Sequence, residues 1–289
     1  MTAPGEGPPP GMSSLGRAAL LVSAGILLSR ILGFAREIVL AGILGDTNAG
    51  DAYDAAFLIP DYLNYLLAGG YLAITFIPII SRYMSEGDQE GGWAAFTAVF
   101  RPVAFLIVAL AAATFALAGP LVELLFRVLG GFEFDQIGEV TRLTRIVLPA
   151  QVFFVLGSLF AAVQYAHRRF LIPTLAPLIY NLGIITGGLV TAALGSASPD
   201  GFAWGALTGA FVGNFLIQWY GARKVGLRWV KSVPILHPAL REYLLMALPL
   251  MLGQSIVFLD ESVTKVFASM ADEGSIFLLG RARRLNMLP

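Results

Sequence analysis

Two arginines interrupt the first long apolar stretch of this sequence. Arg30 and Arg36 lie between residues 18 and 44, in a stretch that is otherwise largely apolar. A cation at the depth of the bilayer core costs roughly 3 kcal/mol on insertion scales, so it persists where it faces a polar cavity or a partner. A guanidinium presents a planar fork of donors that suits phosphate oxygens. The pair therefore predicts a membrane protein that handles an anionic cargo.

The spacing of the two arginines limits how they can act together. Six residues place them about 9 Å apart along a helix and about 120° around it. One ligand contacts both only if the helix bends or the cavity wraps around it, and Gly33 lies between them. Glu37 lies on nearly the same face as Arg30 and is adjacent to Arg36. An internal ion pair is therefore the structural alternative to a cargo role.

The overall composition is that of a membrane protein. Hydrophobic residues make up 57% of the chain and charged residues 13%, against about 25% charged in soluble proteins. Lys and Arg number 19, as do Asp and Glu, so no basic field points to nucleic acid. Cysteine is absent, which excludes disulfides and thiolate metal sites. His167 and His237 adjoin basic loops, and we interpret them as surface residues rather than metal ligands.

Apolar runs of about 18 residues or more predict transmembrane helices. Seven such runs lie at residues 18–44, 62–81, 102–122, 146–166, 170–199, 201–220 and 243–270, and an eighth begins near Ser275. They are too long and too uniformly apolar for barrel strands, so we expect an all-α polytopic membrane protein. Pro60, Gly69, Gly70 and Pro78 interrupt the second run, which is typical either of broken transporter helices or of close helix packing.

Basic residues are concentrated in alternate loops. The loops at residues 81–101, 167–169 and 223–241 carry Arg and Lys, and the loops between them are acidic or lack a base. The positive-inside rule places the basic loops in the cytoplasm, and the N-terminus with them. We expect residues 1–16, which are rich in Pro, Gly and Ser, to form a disordered tail.

Several strings of this sequence resemble one family of membrane proteins. The string SRILGFARE at residues 29–37 is similar to the first-helix signature of the MurJ (MviN) lipid II flippases, within the MOP flippase and exporter superfamily. DAYDAAFLIP at 51–60, LAGG at 67–70 and TFIP at 75–78 resemble the family's second helix. FAS at 267–269, EGS at 273–275, RRL at 283–285 and the final proline resemble its seventh and eighth helices. The similarity covers essentially the whole sequence beyond the tail.

The resemblance implies a fold of fourteen transmembrane helices, with two six-helix lobes and two extra helices. It implies that lipid II, a peptidoglycan precursor for the cell wall, crosses the membrane by alternating access. The diphosphate head group would occupy a cationic cavity between the lobes while the polyprenyl tail stays in lipid. No covalent bond would be broken, so the protein would not be an enzyme, and it would act in the bacterial inner membrane.

The resemblance also implies boundaries between a first lobe, a loop and the start of a second lobe. Residues 17–222 would form the first six-helix lobe, 223–241 a basic cytoplasmic loop, and 242–289 helix seven with a truncated helix eight. A cavity between two lobes needs both of them. We therefore expect a C-terminal lobe, which this sequence lacks, to be required for transport.

Four residues match the family's substrate-binding positions: Arg30 and Arg36 in the first helix, Asp51 at the start of the second, and Arg284 in the eighth. The sequence departs from the family elsewhere. Many members carry an arginine pair where this chain has Asn64 and Tyr65, and a glutamate at the position of Gly69.

The seventh helix holds the candidates for a coupling ion, namely Asp260, Glu261 and Lys265. Glu261 and Lys265 are four residues apart, a spacing that also suits a structural ion pair. We expect no metal or organic cofactor. Coupling would fall to a monovalent cation or to the membrane potential.

Other functions fit the same features. A flippase for another polyprenyl-diphosphate-linked glycan, or a multidrug antiporter of the same superfamily, would share the fold. A membrane enzyme acting on polyprenyl phosphates would need acids gathered at one membrane face, for which residues 119–139 are the candidate loop. A remnant with a scaffold role is a further alternative. The sequence contains no nucleophile–base set, phosphate-cradling glycine loop or metal-ligand spacing, which favours transport.

Overall fold

The computed structural model describes residues 12–45, 47–67, 71–128, 134–196, 198–234, 236–268, 270–271 and 274–286, which form a helical bundle. The helices of this part of the chain are, in order, α1 Met12–Leu44, α2 Asn48–Ala56, α3 Leu58–Leu67, α4 Tyr71–Ser85, α5 Gln89–Glu123, α6 Phe134–Val147, α7 Ala150–Ala166, α8 Leu171–Ala193, α9 Pro199–Gly209, α10 Ile217–Lys224, α11 Pro238–Ala268 and α12 Ser275–Asn286. Two π-helical segments, Leu124–Val128 and Ala210–Leu216, extend α5 and join α9 to α10. The predicted all-α fold class is confirmed.

Within the described residues, three helical stretches are long and apolar enough to cross a membrane: Gln89–Phe126, Gln136–Ala166 and Leu171–Ala193. The second of these contains both α6 and α7. Several of the other predicted runs are divided into shorter helices, so the predicted number of spans stays a prediction. Because these helices are long and apolar enough to span a bilayer more than once, the chain is a multi-pass membrane protein.

Several predicted boundaries differ from the observed ones. Helix α1 begins at Met12, inside the predicted tail of residues 1–16, because no proline or turn signal stops the helix from extending back beyond the apolar run. Residues 1–11 of that tail lie outside the described residues. The predicted loop at 81–101 is mostly helical, because α4 continues to Ser85 and Asp88 caps α5 by accepting a hydrogen bond from the Gly91 N–H.

The breaks in the apolar runs lie close to proline, glycine and π-helical turns. The second predicted run contains α3 and α4, with residues 68–70 between them outside the described part. A turn at Leu148 and Pro149 separates α6 from α7, because proline has no backbone N–H to continue the helix and restricts the residue before it. Such breaks leave polar backbone groups at the depth of the membrane, where neighbouring helices must satisfy them.

Aromatic side chains fill the largest core cluster. Phe96 and Phe100 of α5 pack on Phe160 of α7 at ring distances of 6.0 and 5.2 Å, and Trp229 closes on Phe100 at 4.8 Å. Phe76 of α4 is fully buried in the same cluster. Since these rings join the basic loop after α10 to three helices, that loop is held against the bundle.

Glycines bring α8 and α9 into backbone contact. A methyl group added to Gly183 would lie 2.6 Å from the carbonyl oxygen of Gly205, and one added to Gly187 would lie 2.1 Å from that of Gly201. Small residues permit this close approach, which is how helices associate in lipid in the absence of a hydrophobic driving force between them. The glycines of this pair are therefore packing residues rather than hinges.

The three basic loops meet at one end of the bundle, which we call the basic end. Arg82 at the end of α4 forms a bidentate ion pair with Glu242 at the start of α11, with a distance of 2.7 Å between Nη2 and Oε2. Arg101 of α5 donates to the carbonyl of Val230 at 2.8 Å. The ring of His167 stacks on an indole of α5.

The remaining loops meet at the opposite end. Asp51 of α2 accepts a hydrogen bond from the backbone N–H of Gly274, before α12, at 2.8 Å. Arg142 of α6 forms an ion pair with Asp200 of α9. The structure thus groups the loops in the same two sets as the charge pattern of the sequence.

Candidate functional site

Helix α1 packs against α8 along one stripe and exposes the rest of its surface. A methyl group on Gly25 would lie 2.0 Å from Thr174 Cγ2, and one on Gly33 would lie 3.9 Å from Asn181 Nδ2. Leu40 is buried at the far end of this stripe. Large apolar side chains cover the other faces and stay exposed, among them Leu20, Leu27, Ile31, Phe34 and Ile38. The contact with α8 therefore fixes where the two cations of α1 lie.

Arg36 is held by two partners at this contact. Its Nε and Nη2 atoms donate to Glu37 Oε1 at 3.1 and 2.7 Å, and Nη1 donates to Asn181 Oδ1 at 3.0 Å. The side chains of Arg36 and Glu37 are 20% and 12% exposed. Glu37 balances the charge, which lowers the cost of holding an arginine in a membrane. The guanidinium retains further N–H donors for a ligand.

Arg30 lies near the middle of α1 and is exposed. It is about 60° around the helix from Gly33, at the edge of the stripe that contacts α8. Its side chain is therefore accessible from outside the bundle described here, whereas that of Arg36 is half-buried. The two predicted cargo cations differ in environment, and Arg30 is the more accessible one.

Asp51 joins α2 to the first turn of α12. Its carboxylate oxygens accept hydrogen bonds from Gly274 N at 2.8 Å and from Phe277 N at 2.7 Å, and the residue is 4% exposed. An anion at a helix N-terminus satisfies N–H groups that the helix leaves unpaired and interacts favourably with the helix dipole. In this conformation the carboxylate of Asp51 is engaged by backbone rather than directed to an open cavity.

Asp54 continues the contact between α2 and α12 one turn later. It is 3% exposed, and a methyl group on Gly280 would lie 3.1 Å from its Oδ2 atom. The side chain of Arg284 lies outside the described part, and its predicted substrate role stays a prediction.

The predicted ion-coupling residues lie on α11. Asp260 is exposed, and its backbone carbonyl accepts a hydrogen bond from the hydroxyl of Thr264 at 2.7 Å. The side chains of Glu261 and Lys265 lie outside the described part. Their pairing, and an ion role for any of the three, stay predictions.

Amide side chains make polar contacts between helices that the sequence did not predict. Asn181 binds Arg36, and Asn64 donates to Gln151 at 2.8 Å between α3 and α7. Gln151 is 2% exposed. A polar side chain inside an otherwise apolar run is costly without a partner, and that signal was available for each of them. Asn64 makes an uncharged contact at one of the positions where the sequence departs from the family that it resembles.

The family model for lipid II flippase MurJ matches residues 40–289 of this sequence. The chain belongs to this family. A lipid II flippase MurJ from Burkholderia cenocepacia is 28% identical over 284 residues, which cover 96% of this chain and 54% of that protein. A probable lipid II flippase MurJ from Bdellovibrio bacteriovorus is 31% identical over 286 residues, covering 94% and 52% respectively. The chain spans about half the length of these relatives.

Solved structures share the fold. A structure of lipid II flippase MurJ in an inward closed conformation aligns with a TM-score of 0.74 and 24% identity, covering 93% of this chain and 55% of that one. An outward-facing multidrug resistance MATE family transporter of the MOP superfamily aligns with a TM-score of 0.67 and 18% identity, covering 95% and 60%. These likenesses establish the fold, and the family to which the chain belongs is one of lipid II flippases.

Proposed function

We propose that this chain supplies the first lobe of a flippase that moves lipid II across the bacterial cytoplasmic membrane by alternating access. Family membership supports the assignment of lipid II as the cargo. The arginines of α1 support the proposed binding of its diphosphate. The basic end would face the cytoplasm, and the N-terminus would lie on that side. A C-terminal lobe would complete the cavity opposite the exposed faces of α1.

The arrangement of charge on α1 is the observation that carries this proposal. Arg36 is oriented by Glu37 and Asn181, and Arg30 is exposed six residues earlier on the same helix. A diphosphate approaching α1 would meet Arg30 first, through a bidentate contact that a guanidinium suits. Arg36 would then contribute its remaining donors or exchange Glu37 for the ligand. A diphosphate that enters a low-dielectric cavity loses its hydration. Two cations in the cavity would offset that desolvation cost.

The contact between Asp51 and α12 supports alternation between two states. It joins α2 to α12 at the opposite end, so a central cavity would be closed there and open towards the basic end. Release of cargo on the far side would require α12 to leave α2. Each buried hydrogen bond lost in that step costs about 1–3 kcal/mol until water or another donor replaces it.

The membrane potential is a sufficient driving force for such a cargo. Moving one elementary charge through 100 mV changes the free energy by about 2.3 kcal/mol, and a diphosphate head group moves outward from a negative interior. A monovalent cation bound near Asp260 is the alternative means of coupling. Either would bias the cycle in the outward direction.

The test is transport in cells whose own lipid II flippase can be depleted. The chain is expressed alone and together with the C-terminal lobe of the Burkholderia cenocepacia relative, and an impermeant hydrolase reports the lipid II exposed on the outer surface. We expect exposure only with both parts. Exposure with the chain alone would show that the lobe is self-sufficient. Absence of exposure with both parts, when both are inserted and bound to each other, would contradict a flippase function.

A further inference from the structure

A cavity of about 510 Å³ lies at the basic end, bounded by α1, the turn after α7, the start of α8 and the end of α10. Its cations are Arg168, Arg169 and Lys224, and its apolar wall includes Leu21, Leu171 and Val225. The lining residues of this cavity within the described chain include no Asp or Glu. A ligand that fits must combine negative charge with an apolar part.

Backbone strain is concentrated at one of these cations. Arg168 has a φ of 56°, in the left-handed region, and it is the one non-glycine residue of the described chain with positive φ. That conformation costs about 1–2 kcal/mol for a residue with a Cβ atom, and glycine is the default there. Arginine at this position keeps a positive charge on a residue that lines the cavity. Observed strain of this kind points towards a functional role.

The other cations are held nearby. Arg169 follows Arg168 and is exposed. Lys224 ends α10, and its Nζ atom lies 4.7 Å from the centre of the Tyr220 ring, a cation–π contact. The ammonium thus rests on an aromatic ring, on a residue that lines the cavity. Three basic residues from two different turns thus line one cavity.

The start of α8 adds backbone donors to the same volume. α8 begins at Leu171, and Phe170 before it provides no side-chain hydrogen bond to cap the helix. Leu171 and Ile172, whose backbone N–H groups belong to the uncapped first turn, both line the cavity. N–H groups at a helix start favour phosphate in combination with nearby cations.

We propose that this cavity binds the phosphate of an anionic phospholipid, with Arg168, Arg169 and Lys224 around the head group and an acyl chain along Leu21 of α1. Free phosphate would match the cations but not the apolar wall. Aromatic residues at this end, Trp219 and Tyr220 of α10, are of the type that lies at membrane interfaces, where a phospholipid head group is found. The site is separate in its residues from the cargo arginines.

Occupancy would brace the cytoplasmic half of α1. Leu21 lies one turn before Gly25, which packs on Thr174 of α8. A lipid chain against Leu21 would fill the space beside this contact. The lipid composition of the membrane would thereby influence the helix that carries Arg30 and Arg36.

The test is lipid binding by the 289-residue chain in detergent, measured by native mass spectrometry with phosphatidylglycerol and phosphatidylcholine. The triple variant Arg168→Asn, Arg169→Gln, Lys224→Gln removes the three charges, and asparagine tolerates the left-handed turn. The matched control Arg228→Gln, Lys231→Gln, Arg241→Gln removes three exposed charges from the same end outside the cavity. Arg169→Gln alone changes an exposed loop position, so it tests the proposal even if the triple variant does not fold.

We expect the chain to bind phosphatidylglycerol more tightly than phosphatidylcholine. The triple variant should lose roughly tenfold to a hundredfold in phosphatidylglycerol affinity, since each basic residue near a membrane contributes about 1 kcal/mol, and Arg169→Gln about fivefold. The control should change less than about twofold. Equal binding of the two lipids, or an unchanged triple variant, would overturn the proposal. Full displacement of the lipid by inorganic phosphate would overturn the lipid assignment in favour of a free-anion site.

Discussion

The carboxylate of Asp51 accepts a hydrogen bond at 2.7 Å from the backbone N–H of Phe277, 226 residues later in the chain. Its second oxygen accepts from Gly274 at 2.8 Å. One side chain of α2 thus caps the first turn of α12 and joins the two helices. A residue that the sequence assigned to cargo is, in this conformation, part of the contact between α2 and α12.

Asp51→Asn should loosen this contact. The amide keeps one acceptor and directs its NH₂ group towards backbone N–H donors, so one buried donor loses its partner at a cost of about 1–3 kcal/mol. The chain has no cysteine, so a single cysteine at Ser275 reports the start of α12 without background. We expect Asp51→Asn to raise its labelling by an aqueous maleimide by about fivefold or more.

Asp88→Asn is the matched control for that experiment. Asp88 also caps a helix, accepting from Gly91 N at 2.8 Å, but it lies at the start of α5 at the basic end. Its replacement should leave labelling at Ser275 unchanged. Equal effects of the two variants would indicate general loosening of the fold and not a specific closure by Asp51.

The proposed topology is tested with two further single cysteines. Ser232 lies in the basic loop before α11, and Ser196 lies in the turn after α8; both are exposed. The positive-inside rule places Ser232 in the cytoplasm and Ser196 outside. In intact cells an impermeant maleimide should label Ser196→Cys and not Ser232→Cys, and permeabilised cells should label both. Labelling of Ser232→Cys from outside would contradict the proposed topology.

The pairing of α8 with α9 should be sensitive to a single methyl group. On Gly187 this group would lie 2.1 Å from the backbone oxygen of Gly201, which cannot rotate away. We expect Gly187→Ala to destabilise the chain by about 1–3 kcal/mol, measured as a lower unfolding midpoint in detergent. Gly138→Ala is the control, since nothing lies within 4 Å of the added methyl, and it should be neutral or slightly stabilising.

The ion pair between α4 and α11 should depend on pH. The hydrogen bond from Arg82 lowers the pKa of Glu242 below its ordinary value of 4.5, and Glu242 raises the pKa of Arg82. A carboxyl whose pKa is lowered on folding stabilises the fold above its ordinary pKa, and this is lost as the pH falls through the folded-state pKa. The pair is solvent-exposed, so we expect a contribution of about 0.5 kcal/mol.

The measurement compares unfolding midpoints of the chain and of Glu242→Gln between pH 6 and pH 3.5. The midpoint of the chain should exceed that of the variant at pH 6, and the difference should shrink below pH 4.5. Glu86→Gln, at an exposed position of the same end, should show no such convergence. A difference that grows on acidification would contradict the assigned direction of the pKa shift.

Much of the fold could be predicted from the sequence because hydropathy acts over whole helices. Long apolar runs and alternating loop charges were sufficient for the all-α class and for the grouping of the loops at two ends. Helix breaks were less predictable. A proline such as Pro149 ends a helix only where neighbouring groups form hydrogen bonds with the backbone groups that the break leaves unpaired. The extent of α1 was also missed, because helix propagation carries it back to Met12 beyond the apolar run.

The sequence indicated which residues belong to the candidate site, but it did not indicate which groups they contact. Arg36 was conspicuous in an apolar run, but its partner Asn181 lies 145 residues away, and one amide in a helix does not indicate which helix it contacts. The partners of Asp51 are backbone N–H groups, which every residue except proline carries, so residue type holds no signal for them.

Removal of the charge at Arg30 tests the cationic role of α1 most directly. In cells that express the chain with a C-terminal lobe, Arg30→Ala should reduce lipid II exposure to the level of depleted cells. Membrane abundance should be unchanged, because losing an exposed cation makes insertion easier. Arg30→Lys should rescue poorly, since an ammonium lacks the planar fork. Arg36→Ala should be milder if Arg30 is the first contact, with Asn181→Ala as its positioning control.

The decisive quantity is lipid II exposed per unit of inserted protein, measured for Arg30→Ala beside the unaltered chain. A loss of exposure at equal abundance is the predicted result. Normal exposure in Arg30→Ala would contradict a cargo role for the cations of α1. A joint collapse of exposure and abundance that Glu37→Ala reverses would assign Arg30 to a structural ion pair instead.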